Sequence, residues 1–462
     1  MEETRRLLSE AILRLLGDGK PRTAREMAVQ VRSNHNLNGI VRGDVNSVLY
    51  GELASQLTRD VWFRWSLARG FVNSRIASAA LDREVSVPTA SDRRALLLTV
   101  HRLRAGLPPL QHVAELTVGS EHLCTPLSRF LHNAGAPRWM VITGNYGEGK
   151  SHSLALLREL AHQEGYATCQ LSADGSLAAL NHPQRFLPLL LATLETPAGA
   201  ARGYGNLLFE FLSDDGSRDR VKRIVQREII RHLPRADAEH LGRALTGYNI
   251  NNNSDSLVLA ADQIALHLSG ESIQHRPATE GTRIFAYSLL RIALEILVAS
   301  GLKGLVVLID ETESISTKLP GIRSRLGAYR VLSALCESPE LINCKVCLAA
   351  TPDALRQFAA EIPMMINELG KTPGEPVQTW AKRLKEGPMT LACRRLEHGQ
   401  RGELLNSVRR IYSQAYQGTF RIGSALGRAD DRSLPADVPT RILVRSAVDR
   451  LDAHRWASRL RG

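Results

Sequence analysis

Hydrophobic positions along the chain alternate between short uninterrupted runs and helical spacing. Apolar runs of strand length occupy Trp139–Ile142, Ala167–Leu171, Gly304–Ile309 and Lys345–Ala350. Between them, apolar residues recur at intervals of three and four, which is typical of helices. Short continuous apolar runs predict strands that are buried on both faces. The alternation therefore predicts an α/β fold whose parallel sheet is covered by helices on both sides.

The first of these predicted strands leads into a glycine-rich loop. Gly144–Ser151 fits the pattern G-x-x-x-x-G-K-[ST] at every defined position. Glycines let successive main-chain N–H groups face phosphates, Lys150 adds a positive charge, and the Ser151 hydroxyl is a ligand for Mg²⁺. The loop therefore predicts binding of a nucleoside triphosphate with Mg²⁺. The predicted binding residues are Gly144, Asn145, Tyr146, Gly147, Glu148, Gly149, Lys150 and Ser151.

An acidic pair ends the third predicted strand. Asp310 and Glu311 follow the apolar run directly, at the carboxyl end where open α/β sheets bind their ligands. Asp310 is predicted to hold Mg²⁺, and Glu311 to orient and deprotonate the attacking water. Glu313 is the alternative base, but adjacency to the metal ligand favours Glu311.

Several polar residues beyond these motifs have two interpretations each. Thr351 follows the fourth predicted strand, and its hydroxyl is a candidate to position the attacking water, which would make it catalytic beside Glu311 and Lys150. Alternatively, it is an ordinary threonine that ends a strand before a proline-started helix. Arginines that either reach a neighbouring subunit's γ-phosphate or lie solvated at the surface are Arg323, Arg325, Arg330, Arg383, Arg394 and Arg395.

The N-terminal segment has a different pattern. Helical spacing at Leu7–Leu16 and a capping box at Thr23–Glu26 predict two helices, a third follows, and Val61–Trp65 alternates like a strand. Three short helices followed by a strand is the order of a winged helix. Residues 1–70 are therefore predicted to be a winged-helix-like DNA-binding domain, with a protein-docking winged helix as the alternative.

A chain of 462 residues is too long for one ordinary core and suits two or three domains. After the N-terminal domain, residues 71–109 are predicted to be a partly helical linker. Residues 110–380 form the predicted P-loop core, with a helical insertion at about 195–297. Residues 381–462 are predicted to be a basic helical C-terminal region that acts as a lid.

The charge distribution adds a candidate partner. The net charge is +12: residues 1–110 carry 17 Lys and Arg against 11 Asp and Glu, residues 111–380 carry 25 against 28, and residues 381–462 carry 17 against 8. A near-neutral core between two basic flanks suggests duplex DNA as the larger partner. Basic surfaces that serve solubility or contact acidic proteins are the alternative.

Cysteine usage and hydropathy bear on the compartment. Cys344 and Cys347 form a Cys-x-x-Cys inside an apolar run, with no second pair at zinc spacing, so the six cysteines are interpreted as small hydrophobes in a reducing compartment. No apolar run reaches the roughly 18–20 residues that span a bilayer, so no membrane partner is expected. The N-terminal residues lack the apolar core of a signal peptide, which predicts a cytoplasmic protein.

Three stretches together carry a family likeness. Gly144–His152, then Leu171–Asp174 followed by His182-Pro183, then Gly304–Glu313 resemble the AAA-type P-loop ATP-binding proteins of bacterial BREX phage-resistance systems. The likeness implies an AAA-type core, ATP as the nucleotide, and a role in defence beside a methyltransferase and other system proteins. His152, which narrows the likeness, joins the expected nucleotide-binding residues.

Three functions are consistent with these observations. The first is a DNA-associated ATPase that binds and hydrolyses ATP with Mg²⁺, and that forms a homo-oligomer because AAA cores commonly complete each site with a neighbour's arginine. The second is an ATP-gated switch or scaffold for protein partners with slow turnover. The third is a winged-helix transcriptional regulator, which has no need for a complete set of hydrolysis residues.

Overall fold

The fold is described from a computed structural model. It describes residues 90–132, 137–197, 203–212, 215–232, 277, 279–368, 375–416 and 438–459, together with scattered positions between 8 and 67. The chain divides into two compact units. One consists of residues 1–84 and 187–300, and the other of residues 85–186 and 301–462.

The described elements alternate between strands and helices in the second unit and are mostly helical in the first. The strands are β1 (Arg22–Thr23), β2 (Leu57–Arg59), β3 (Arg64–Leu67), β4 (Trp139–Thr143), β5 (Ala167–Ser172), β6 (Leu305–Asp310), β7 (Cys344–Ala350) and β8 (Thr390–Ala392). The helices are α1 (Ala90–Arg104), α2 (Ser120–His132), α3 (Lys150–Gln163), α4 (Ala173–Leu180), α5 (Pro183–Ala192), α6 (Tyr204–Leu212), α7 (Asp215–His232), α8 (Glu280–Ala299), α9 (Ser314–Lys318), α10 (Ile322–Glu337), α11 (Pro352–Glu368), α12 (Glu375–Glu386), α13 (His398–Ala415) and α14 (Thr440–Arg459).

A five-stranded parallel sheet forms the centre of the second unit, as the apolar runs predict. Its order is β5-β6-β7-β4-β8, and every neighbouring pair is parallel. The register places Met140 opposite Cys347 and Val307 opposite Val346. Strand β7 therefore separates β4, which leads into the glycine-rich loop, from β6, which ends in Asp310.

Strand β8 differs from the sequence prediction. Its three residues, Thr390–Ala392, fall in the region predicted to be a helical lid, yet they are hydrogen-bonded to β4 at the edge of the sheet. A strand of three residues, of which Leu391 alone is buried, is too short to produce a recognisable alternation.

The sheet packs on helices that cover its apolar side chains. One core cluster joins Leu154 and Leu157 of α3 and Phe130 of α2 to strand residues such as Ile142 and Leu308, all of them fully buried. Burial on this scale is expected for a parallel sheet, whose strands are apolar along their whole length. The core therefore fixes the position of α3 relative to the strand ends.

A second cluster of the same unit joins three helices that are distant in sequence. Leu96 and Val100 of α1, Val408 and Ile411 of α13, and Val448 of α14 are buried against one another. The contact is reinforced where Arg104 donates to both carboxylate oxygens of Asp452, at 2.7 and 2.9 Å. Helix α1, which the sequence places in a linker, is therefore packed against the C-terminal helices.

The first unit contains a small antiparallel sheet and several helices. Helical positions at 8, 9, 11, 12 and 16 precede β1, and helical positions at 27, 28, 30, 31, 45 and 48 lie between β1 and β2. The sheet order is β1-β3-β2. In the same unit, Arg291 of α8 donates to Glu228 of α7 at 3.0 Å, with both side chains largely buried.

Two further predictions concern composition. All six cysteines are free thiols, and five of them are buried, as expected for small core hydrophobes. Among the helices that the structure describes, none is long and apolar enough to cross a membrane.

Substitution of Asp452 by Asn is expected to destabilise the fold by about 1–2 kcal/mol, because Arg104 and Tyr412 lose a charged acceptor. Tyr412 donates to Asp452 at 2.7 Å. Thermal unfolding of the full chain measures the effect, and Glu403→Gln on the exposed face of α13 is the matched control. Equal midpoints for wild type and Asp452→Asn would contradict the argument.

The same contact should depend on pH. Burial alone would raise the pKa of Asp452, but hydrogen bonds from Arg104 and Tyr412 outweigh burial and lower the pKa below its ordinary value. A lowered folded pKa means that the stabilisation is complete above the unfolded pKa and is lost as the pH falls through the folded one. The difference between wild type and variant should therefore narrow below about pH 4.

Candidate functional site

The site lies at the carboxyl edge of the parallel sheet, where three neighbouring strands end. The glycine-rich loop follows β4, Asp310 ends β6, and Thr351 follows β7 between them. Because parallel strands present their carboxyl ends at one edge, the three motifs predicted from sequence come together there.

The glycine-rich loop has the backbone that its glycines permit. Gly147 has φ +78° and Gly149 has φ +103°, conformations that other residues adopt only with strain. Gly149 caps α3, whose first helical hydrogen bond runs from the Ser153 N–H to the Gly149 carbonyl at 2.8 Å. The N–H groups of Lys150, Ser151 and His152 precede that bond and lie at the positive end of a helix dipole, as anion binding requires.

Glu148 holds the loop in shape. It accepts the Asn145 main-chain N–H at 2.7 Å and the Asn145 side-chain amide at 3.2 Å. Arg395 donates to it at 3.3 Å. Burial alone would raise the pKa of Glu148, but these hydrogen bonds outweigh it and lower the pKa. The sequence motif leaves this position undefined, so the role of Glu148 could not be predicted from it.

Lys150 is buried beneath the loop, with 7% of the residue exposed. Its ammonium donates to the carbonyls of Gly144 at 2.9 Å and Asn145 at 3.4 Å. The Tyr146 ring centroid lies 5.2 Å from Nζ, a cation–π distance. Lys150 also forms an ion pair with Glu313, whose Oε1 lies 3.8 Å from Nζ.

Ser151 and Asp310 meet across the edge of the sheet. The Asp310 carboxylate is hydrogen-bonded by the Ser151 side chain and accepts the Glu311 main-chain N–H at 2.9 Å. Burial raises the pKa of Asp310, while these two hydrogen bonds oppose the shift. A hydroxyl in contact with a carboxylate is an oxygen donor set of the kind that Mg²⁺ prefers, so these residues fit a magnesium site.

Glu311 is held by a residue that the sequence analysis did not single out. The Ser172 hydroxyl, at the end of β5, donates to Oε2 of Glu311 at 2.7 Å. Glu311 is exposed, and its φ of +55° is unusual for a residue with a side chain. Ser172 could have been noticed as a polar residue at the end of a predicted strand. Nothing in the sequence shows which carboxylate it contacts.

Glu313 faces inward, unlike Glu311. It is 6% exposed, and burial raises the pKa of its carboxyl above the ordinary value. The residue between them, Thr312, is fully buried and donates its hydroxyl to the Ala349 carbonyl of β7 at 2.8 Å. Thr312 therefore anchors the segment that carries Glu311 and Glu313 to the sheet.

Thr351 and His152 are both engaged with neighbouring protein groups. The Ala354 N–H donates to the Thr351 hydroxyl at 3.3 Å, so Thr351 caps α11.

The His152 ring is 2.9 Å from the Thr117 hydroxyl, which itself donates to the Val113 carbonyl at 2.8 Å. Burial lowers the pKa of His152 to about 4. The His152 side chain is therefore neutral at pH 7 and is directed to residues 113–117.

The match to known proteins covers the part of the chain that carries the loop. Residues 91–214 match a family model described as BREX system ATP-binding protein BrxC/D. This match confirms the resemblance. No curated protein matches the chain.

Among solved structures, the Walker-type ATPase of Pyrococcus abyssi is similar to this chain at 12% identity and a TM-score of 0.34. The similarity covers 73% of this chain and 68% of that chain. A likeness this weak carries no conclusion about function.

The matched segment ends before the arginines that the sequence offers as contacts for a neighbouring nucleotide. Arg325 pairs with Glu361 at 3.4 Å, and Arg383 pairs with Glu337 at 3.1 Å. Arg395 faces the glycine-rich loop of its own chain through Glu148. The two candidates that are exposed and have no ion pair among the described residues are Arg323 and Arg394.

The start of α14 lies against the glycine-rich loop. A Cβ added to Gly147 would lie 2.8 Å from Cβ of Pro439 and 3.9 Å from Cβ of Arg441. Gly147 and Pro439 are almost 300 positions apart in the sequence, so a local sequence pattern could not predict this contact. Residues 439–441 at the start of α14 therefore restrict the space beside Gly147 in the glycine-rich loop.

Gly147→Ala should destabilise the chain by about 1–3 kcal/mol, because the new Cβ is strained at φ +78° and collides with Pro439. Gly402→Ala in α13, where a Cβ meets nothing within 4 Å, is the control. Unfolding midpoints measure both, and Pro439→Gly should recover part of the loss. A Gly147→Ala variant as stable as the control would show that Pro439 does not lie over the loop.

Proposed function

We propose that this chain is a DNA-associated AAA-type ATPase that binds ATP with Mg²⁺ and hydrolyses it in bacterial defence against phages. The observation that carries the proposal is the meeting of Lys150, the Ser151–Asp310 pair and Glu311 at one edge of the sheet. Hydrolysis of a triphosphate needs each of these groups within a few ångströms of the phosphates.

The loop binds and orients the triphosphate. The free N–H groups at the start of α3 donate to the phosphate oxygens, and Lys150 leaves the Gly144 and Asn145 carbonyls to contact the terminal phosphates. Ser151 and Asp310 would hold Mg²⁺, which when bound would neutralise charge that develops on the transferred phosphoryl group.

Glu311 supplies the proton acceptor. Its Oε2 accepts the Ser172 hydroxyl, which leaves Oε1 to accept a proton from the attacking water. Thr351 retains its hydroxyl proton while its oxygen caps α11, so it can donate to the water or to the γ-phosphate. His152 contributes its main-chain N–H, since its ring is directed to Thr117.

DNA association rests on charge and on the small sheet. The β1-β3-β2 order, with helical positions on both sides of β1, supports the winged-helix interpretation of residues 1–70. The two flanks carry most of the positive charge, which is the electrostatic footprint of a nucleic-acid-binding protein. Exposed arginines in the C-terminal region include Arg441 and Arg445 of α14.

The cellular context follows from the family match. The description of the matching family names a BREX system, so we infer other defence proteins as partners in the cytoplasm. A homo-oligomer is the assembly that would use the exposed Arg323 or Arg394 at a neighbouring nucleotide.

An ATP-gated switch is the second candidate. The contact between Ser172 and Glu311, and the use of Thr351 as a helix cap, leave the catalytic groups engaged within the chain. Turnover would then be slow until a partner rearranges them.

Glu311→Gln should lower ATP turnover by about 10²–10³-fold, because the amide cannot accept the proton of water. ATP binding should persist in this variant and be lost in Lys150→Ala. Phosphate release and equilibrium binding measure the two effects, with Glu403→Gln as the control. Wild-type turnover in Glu311→Gln would show that another group is the base.

Binding to duplex DNA should weaken steeply with salt, since each neutralised phosphate adds about −0.9 to the slope of log K against log salt concentration. Replacing Arg441 and Arg445 by Gln should make that slope shallower by up to about 2. Fluorescence anisotropy measures it, and Arg356→Gln, which removes one exposed positive charge from α11, is the control outside α14. If the wild type, the Arg441 and Arg445 variant and the Arg356→Gln control all gave the same slope, α14 would not contact the DNA.

A further inference from the structure

Glu313 is an acid whose position the proposed reaction does not explain. It is 6% exposed, and neither carboxylate oxygen has a hydrogen bond from another residue that the structure describes. A buried carboxylate without donors is costly, so its nearest positive charge decides what it does. That charge is the Lys150 ammonium, 3.8 Å from Oε1.

The other two acids of the segment are satisfied by neutral donors. Asp310 is bonded by Ser151 and by the Glu311 N–H, and Glu311 is bonded by Ser172. Glu313 differs because it follows Thr312, whose hydroxyl is bonded to β7, and lies buried within 3.8 Å of the Lys150 ammonium. Among the three, Glu313 is the one with an ion pair to Lys150.

We propose that Glu313 is a positioning residue for Lys150, whose carboxylate holds the ammonium in the nucleotide-free site and competes with the triphosphate for it. The ammonium contacts both the Glu313 carboxylate and two loop carbonyls. Nucleotide binding draws Lys150 toward the phosphates and leaves Glu313 close to a second anion. Both changes oppose binding, so Glu313 lowers nucleotide affinity and favours release.

This inference rests on the proposed nucleotide site and concerns its regulation. It differs from the role of a base, because Glu313 acts through Lys150 and not on the attacking water. The distinction is measurable: a group that competes for Lys150 changes the affinity for both ATP and ADP, whereas a base changes turnover.

The test is equilibrium titration of the full chain with fluorescent ATP and ADP analogues. Glu313→Gln keeps the size of the side chain and removes its charge, so both dissociation constants should fall by roughly three- to tenfold. Asp353→Asn is the control, since it removes one negative charge from the exposed first turn of α11, which follows β7 at the same edge of the sheet. That control should leave the constants within about twofold of wild type.

A second variant and a second condition separate the alternatives. Glu313→Asp keeps the charge but withdraws it by one methylene, so its dissociation constants should lie between those of wild type and Glu313→Gln. Unchanged or weaker binding in a folded Glu313→Gln protein would overturn the proposal. So would weakening that appears only with Mg²⁺, which would indicate a metal role, or a turnover loss as large as that of Glu311→Gln without a change in affinity. A wild-type chain that binds no nucleotide would refute the proposed function instead.

Discussion

The hydrogen-bonded ladder of β4, β7 and β6 is the constraint on which the site depends. Parallel strands lie about 4.8 Å apart, so the loop after β4 and the acids after β6 are separated by the width of one strand. That spacing is what allows Lys150 and Glu313 to approach to 3.8 Å and Ser151 to contact Asp310. If β7 lay at the edge of the sheet, β4 and β6 would be direct neighbours. The glycine-rich loop and the acidic segment would then leave less room for a triphosphate.

Local patterns were sufficient for the parts of the site that lie next to one another in sequence. The glycine-rich loop, the strand before it and the helix after it are contiguous, so their order could be predicted. The apolar run that ends in Asp310 could be recognised because a buried parallel strand needs no polar alternation. The parallel sheet follows from these runs, since short strands separated by helices have few other solutions.

The contacts that the sequence could not supply are those between distant residues. Ser172 and Glu311, Glu148 and Arg395, and Gly147 and Pro439 meet through the fold, and nothing at either position identifies its partner. Strand β8 was missed because three residues carry too little pattern. The pattern of α1 predicts a helix but not its packing, because its partners, α13 and α14, lie some 300 residues further along the chain.

The charges at the site also support the proposed role of a divalent cation. Asp310, Glu311 and Glu313 share one edge with the ammonium of Lys150, and the donors from Ser151 and Ser172 are neutral hydroxyls that add no positive charge. A triphosphate entering this edge meets an excess of negative charge that hydrogen bonds alone do not cancel. Mg²⁺ held by the Ser151–Asp310 pair, as proposed, would offset that excess, and so nucleotide and metal are expected to bind together.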